Sequence, residues 1–105
     1  MNEAILNQLI VSELDKVDSK WPDYHSPHEA YAVIKEEVEE LEQETMELLG
    51  AIDTYWDCVK GDMPFIPDSI DPLSRLKESA KNAIKEAVQV YVTALRAERL
   101  CKPNE

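Results

Sequence analysis

The stretch from Ser26 to Lys60 does most to limit what this chain can become, because one apolar period runs through it with no proline after its first turn. Ala30, Ile34, Val38, Leu41, Thr45, Leu48, Ile52, Trp56 and Val59 recur at three- and four-residue steps, the spacing that gathers side chains on one face of an α-helix. Three residues write the start. Ser26 can cap the backbone, Pro27 occupies the first helical position, and Glu29 follows three residues after the cap. Gly61 stops the helix, while at Gly50 the helix is expected to continue, with room for a kink. A helix over 27–60 spans about 50 Å at ~1.5 Å per residue, more than a compact domain of this size needs.

Two further helices are predicted. The first covers about 3–18, with Asn2 as its cap and Ile5, Leu6, Leu9, Ile10, Leu14 and Val17 as its apolar face. The last covers about 72–101, opened by Asp71-Pro72 and closed before Pro103. Its predicted inner face is Leu73, Leu76, Ala80, Ala83, Ile84, Ala87, Tyr91, Ala94 and Leu95, whose alanines admit a close neighbour. With only two glycines in 105 residues, the chain reads as a single all-α domain over 1–105, an antiparallel bundle of three main helices. Trp21, held out of helix by Pro22, is expected to plug the end of the bundle. In the loop 61–71, Met63, Phe65 and Ile66 are expected to fold back onto the helices, with a lid over a ligand as the other reading. Val88, Val92 and Leu49 lie off the main stripes and predict a second copy, as a homodimer or a dimer of dimers.

The charge balance excludes some partners. With 22 acidic against 11 basic residues, the chain repels nucleic acid polymers and anionic membrane surfaces. No stretch approaches the roughly 20 apolar residues of a membrane span, and a cytoplasmic location is expected. Cys58 and Cys101 are too few for a disulfide framework and lack metal-site spacing, so both read as reduced, half-buried thiols.

Chemistry concentrates in the acidic run from Lys35 to Glu44. At about 100° per residue, Glu37 falls at the border of the apolar stripe with Glu40 and Glu44 beside it, while Glu36, Glu39 and Glu47 turn toward water. A charge run can be no more than a solvated face. Glu37 argues otherwise, since a carboxylate among Val33, Ile34 and Leu41 is costly to bury unless a cation meets it. An antiparallel return brings Glu86 and Gln89 near Glu37 and Glu40, and such a set of oxygens suits Mg²⁺, with Mn²⁺ as a substitute. His25 and His28 flank the helix start without metal-ligand spacing on a formed face. Between 27 and 60 there are ten acids and two bases, and between 72 and 102 three acids and seven bases, so the two long helices oppose in charge. Lys81, Lys85 and Arg96 then pair with carboxylates or hold a polyphosphate.

At these residues the sequence resembles the all-α nucleoside triphosphate pyrophosphatases of the MazG-like type. The family marker is Glu-Glu-x-x-Glu on one helix and Glu-x-x-Asp on a later one; here they read Glu36-Glu37-Val38-Glu39-Glu40 and Glu86-Ala87-Val88-Gln89. The flanks His25-Ser26-Pro27-His28-Glu29-Ala30-Tyr31 and Lys85-Glu86-Ala87-Val88-Gln89-Val90 are similar to a small bacterial and phage-type branch, and the likeness extends from about Trp21 to Arg99.

The resemblance implies Mg²⁺-dependent hydrolysis of a nucleoside triphosphate to a monophosphate and pyrophosphate. It implies Glu37, Glu40 and Glu86 as metal ligands, Gln89 as a weakened fourth, and Glu36 as a helper beside the ligands or the general base. Glu36 and Glu37 are thus the candidate catalytic carboxylates, and the charge pattern of the hairpin offers Lys81, Lys85 and Arg96 as candidate contacts to the phosphates. Gln89 departs from the pattern, since an amide oxygen holds Mg²⁺ less well than a carboxylate. The alternative is a catalytically silent helical dimer that serves as a nucleotide-binding or protein-interaction module.

Overall fold

The computed structural model describes residues 1–61 and 71–101, and within them the chain is entirely helix and connector. Helix α1 is Glu3–Lys20, α2 is Pro27–Val59 and α3 is Pro72–Cys101. Met63, Phe65 and Ile66, and the side chain of Cys101, lie outside the described residues.

Each helix starts where its cap residue directs. Asn2 Oδ1 accepts from Ala4 N at 2.8 Å and Ile5 N at 3.4 Å. Ser26 Oγ accepts from Glu29 N at 3.1 Å, and the Glu29 carboxylate reaches back to His25 N at 3.2 Å and His25 Nδ1 at 3.1 Å. Asp71 Oδ1 accepts from Leu73 N at 3.0 Å. These bonds satisfy amides that the first turn of a helix leaves open.

The ends are set just as locally. Helix α1 outruns its predicted end by two residues and stops at Trp21, whose extended backbone (φ −128°, ψ 139°) is what the following Pro22 requires. Helix α2 ends before Gly61, which takes φ +79°. The helix passes through Gly50 uninterrupted, and the side chain of Arg75 lies over that glycine.

Helices α2 and α3 pack as an antiparallel hairpin, since Arg75 meets Thr54 and Glu47 at one end while Glu86 meets Glu37 and Glu40 further along. Helix α1 lies along α3 alone and runs parallel to it, with Glu13 beside Gln89 and Asp18 beside Arg96. The result is a rod of 63 × 30 × 20 Å with a radius of gyration of 18.3 Å, against about 13 Å for a compact chain of this length.

Three expectations about packing are corrected, the first being Val92, expected to await a second copy and instead fully buried within this chain. The predicted inner face of α3 is partly outside: Leu73, Ile84 and Tyr91 are 43%, 46% and 52% exposed, and Ala80 and Ala87 are exposed with them. The side that meets the other helices is mixed, carrying Arg75, Ser79, Glu86, Gln89, Thr93 and Arg96 together with Leu76, Ala83, Val92 and Leu95. Polar contacts across the hairpin and to α1 rotate α3 so that half its apolar stripe faces water. Trp21 does not plug the bundle, being 64% exposed, and Tyr24 at 7% takes that place. The backbone that Pro22 imposes at Trp21 leaves the indole in solvent, and Arg96 holds the Trp21 carbonyl. The core is correspondingly small, consisting of Ile10, Tyr24, Ala30, Ala51 and Val92 among the described residues.

Candidate metal centre

Glu37 and Glu40 are three residues apart, which places them on one face of α2 one above the other. The antiparallel return of α3 sets Glu86 opposite. One carboxylate oxygen from each of the three lies within 4.8 Å of the others. Glu37 and Glu86 are half-buried and Glu40 is exposed. Glu37 Oε2 is closed off from solvent and has no hydrogen-bond partner among the described residues.

Such a grouping resists full ionisation. Burial first, then the charges of Glu40 and Glu86, pushes the Glu37 carboxyl up from its ordinary 4.5 to about 7. Glu86 is raised in the same direction, again first by burial and then by Glu40, with Glu44 contributing. Three crowded carboxylates can take up protons or share a cation. The donor set is all hard oxygen, which fits Mg²⁺ or Mn²⁺ and leaves room for water and phosphate oxygens. The orphaned Glu37 oxygen is the atom such an ion would satisfy.

Beside the cluster is a cavity of about 580 Å³, walled by Glu36 and Glu37 of α2, Trp21 and Tyr24 of the connector, and Gln89 and Arg96 of α3. The Tyr24 hydroxyl is buried with no partner, and burial raises its pKa. One wall of this cavity is fixed by Arg96, which is 3% exposed. Its Nε donates to Asp18 Oδ1 at 3.0 Å, its Nη2 donates to the carbonyls of Trp21 at 3.0 Å and Pro22 at 2.6 Å, and its guanidinium stacks 4.8 Å from the Tyr24 ring centre. Arg99 adds two bonds to Asp18, and its hydrogen bonding holds that carboxyl below the usual range against the opposing effect of burial.

The other residues singled out from the sequence are dispersed. Gln89 lines the cavity but stands outside the carboxylate trio, its amide donating to the Glu13 carboxylate of α1. Glu36 is exposed at the cavity wall. Arg96 reaches the cavity with its guanidinium tied to the connector. Lys85 lines a different hollow of about 420 Å³ between α1 and α3, with none of the three carboxylates in its wall. Lys81 is exposed, and neither lysine has an ion-pair partner among the described residues. His25 pairs with Glu29, and His28 is exposed at the helix start; neither joins the carboxylates. Opposite charges on the long helices give one ion pair between them among the described residues, Arg75 to Glu47 at 3.9 Å. Cys58 is a free, half-buried thiol.

Tyr24, Asp18 and Glu13 had no signal in the sequence. Tyr24 sits in a connector with no period to read, and its burial arises only once α3 delivers Arg96 beneath it. Glu13 and Asp18 look like ordinary solvated acids of an amphipathic helix.

No family model, no curated protein and no solved structure matches this chain. No helix among the described residues is long and apolar enough to cross a membrane.

Proposed function

We propose that this protein is a Mg²⁺-dependent nucleoside triphosphate pyrophosphohydrolase, releasing a nucleoside monophosphate and pyrophosphate. One observation carries the reading: Glu37, Glu40 and Glu86 from two helices converge within 4.8 Å, with a buried, unpartnered oxygen among them, at the edge of a cavity large enough for a nucleoside. The likeness of Glu36-Glu37-Val38-Glu39-Glu40 and Glu86-Ala87-Val88-Gln89 to the MazG-like motif pair supports it. In a chain this acidic, a polyphosphate has to arrive with its cation.

Glu37, Glu40 and Glu86 would hold the ion, which when bound supplies charge neutralisation for the phosphates and acidifies a water. The chain's own residues do the rest. Glu36, exposed at the cavity wall, accepts a proton from the attacking water. Trp21 and Tyr24 offer aromatic surface to the base, and the Tyr24 hydroxyl offers it a hydrogen bond. Arg96 acts on the shape of this pocket by pinning the connector carbonyls, and Lys81 and Lys85 lie outside the pocket wall.

The test is pyrophosphate release from a panel of ribo- and deoxyribonucleoside triphosphates with Mg²⁺ or Mn²⁺. Glu40→Gln is expected to abolish turnover and heat of metal binding together. A wild-type protein that takes up neither ion in calorimetry would refute the reading.

The engagement of Gln89 with Glu13 favours a second reading, a nucleotide-binding module without turnover, because the fourth ligand position is neutral and occupied by a protein contact. Gln89→Asp separates the two. Turnover gained only in that variant assigns the natural protein to the silent class.

A further inference from the structure

Helix α1 is held to α3 with little apolar contact. Of its side chains only Ile10 is buried, and its polar ties to α3 sit in its second half, at Glu13 and Asp18. Helices joined in this way leave space between them. That space is the hollow of about 420 Å³ whose described walls come from α1 and α3, within the ~300–1,000 Å³ of small-molecule sites. Leu9, Glu13 and Lys16 line it from α1, and Ile84, Lys85 and Val88 from α3. Steps of three and four residues set each group on one helix face.

The two walls combine apolar surface with unmatched positive charge. Leu9 and Ile84 are each 46% exposed and Val88 is half-buried, so the hollow presents hydrocarbon that water still reaches. Lys16 and Lys85 stand on opposite walls, exposed, with no ion-pair partner among the described residues. The Glu13 carboxylate between them accepts from the Gln89 amide. Two ammonium groups against one carboxylate leave a single positive charge, in a chain whose net charge is −11.

We propose that this hollow binds an amphipathic organic monoanion, a carboxylate bearing a hydrocarbon tail, with the carboxylate between Lys16 and Lys85 and the tail against Leu9, Ile84 and Val88. The charge balance selects the class. A polyphosphate or other multiply charged anion meets Glu13 and the negative field of the whole chain, and a cation meets both lysines. An uncharged molecule gains only the apolar wall. The site is separate from the proposed metal centre, since Glu37, Glu40 and Glu86 are absent from its wall, and it stands whether or not that centre binds an ion. One side chain is common to both regions: Gln89 lines this hollow and the larger cavity. A ligand that touches both helices favours the docked state of α1, and with it the bond of Asp18 to Arg96 that fixes the connector wall of the larger cavity.

The experiment is calorimetric titration of the full chain, without metal, by hexanoate, octanoate and decanoate below their micelle concentrations, with octan-1-ol and octylammonium as controls. One-to-one binding of octanoate is expected with a Kd below about 1 mM. Each pair of added methylenes tightens binding about tenfold, and both controls bind at least tenfold more weakly. At ten times its Kd, octanoate shifts the unfolding equilibrium in urea about elevenfold toward the folded state. Lys16→Met with Lys85→Met keeps the apolar stems at exposed positions and is expected to weaken octanoate at least tenfold, to the level of the alcohol. Lys20→Met with Lys77→Met, outside the wall, is expected to change nothing. Absence of binding at millimolar octanoate overturns the proposal, as does equal binding of the alcohol. So does a Lys16 and Lys85 double variant that binds as well as wild type, or equal loss in the Lys20 and Lys77 pair, which would assign the effect to diffuse charge. Glu40→Gln is expected to retain octanoate binding in full, so failure of the metal reading is distinguishable from failure of this site.

Discussion

Replacing Glu37 by glutamine separates a carboxylate kept for a ligand from one kept for the fold. In the folded, metal-free protein the Glu37 carboxyl titrates near 7 instead of its ordinary 4.5. The folded state therefore binds the extra proton between those two values, and this group's contribution to stability falls as pH rises through that window. Glu86, raised in the same direction, adds to the fall. At about 1.36 kcal/mol per pH unit the full effect of Glu37 is up to ~3 kcal/mol, and solvent reaching a half-buried cluster reduces it to about 1–2 kcal/mol. Glutamine keeps the shape and removes the charge. Without metal at pH 8, Glu37→Gln is expected to be more stable than wild type by about 1–2 kcal/mol, and at pH 5 by no more than about 0.5 kcal/mol.

The cation reverses the order. Mg²⁺ at about a hundred times its dissociation constant adds ~2.7 kcal/mol to a protein that binds it only when folded. Wild type at pH 8 gains most of that, and the variant little. Urea unfolding at pH 5 and 8, with Mg²⁺ and with chelator, reads all four states. A variant that is weaker than wild type without metal at pH 8, yet still stabilised by Mg²⁺, would refute both the strain assigned to the cluster and its purpose.

The other expectations follow from single contacts. Arg96→Met removes a buried cation from Asp18, from two connector carbonyls and from the Tyr24 ring, and is expected to cost about 3 kcal/mol in urea unfolding. Gly50→Ala is expected to raise stability by up to ~1 kcal/mol, because the helix is unbroken at this position and the new methyl meets Arg75 Nη2 at an ordinary 3.6 Å; a lower melting temperature would contradict it. Ser26→Ala deletes the cap that fixes the register of the acidic run, and is expected to cost about 1 kcal/mol with loss of helical circular dichroism at the start of α2.

How much of this was legible without coordinates follows from the range of the forces involved. Helix starts are decided by bonds spanning two to four residues, so Asn2, Ser26-Pro27 and Asp71-Pro72 announced all three. The three-residue spacing of Glu37 and Glu40 and the length of the hairpin arms set their approach to Glu86 in advance, and that convergence was readable too. The rotation of α3 about its own axis was not. Periodicity gives the direction of an apolar stripe but not which neighbour it serves, and the bonds of Gln89 to Glu13 and of Arg96 to Asp18 bring polar residues onto the inner side beside Val92 and Leu95. Trp21 and Tyr24 exchanged roles for the same reason: nothing local distinguishes two aromatics in one connector until a buried guanidinium, delivered from the far end of the chain, selects the ring it will stack on. Local hydrogen bonding and helical pitch thus belonged to the sequence. The side each helix turns inward was decided only when charges distant along the chain met at close range.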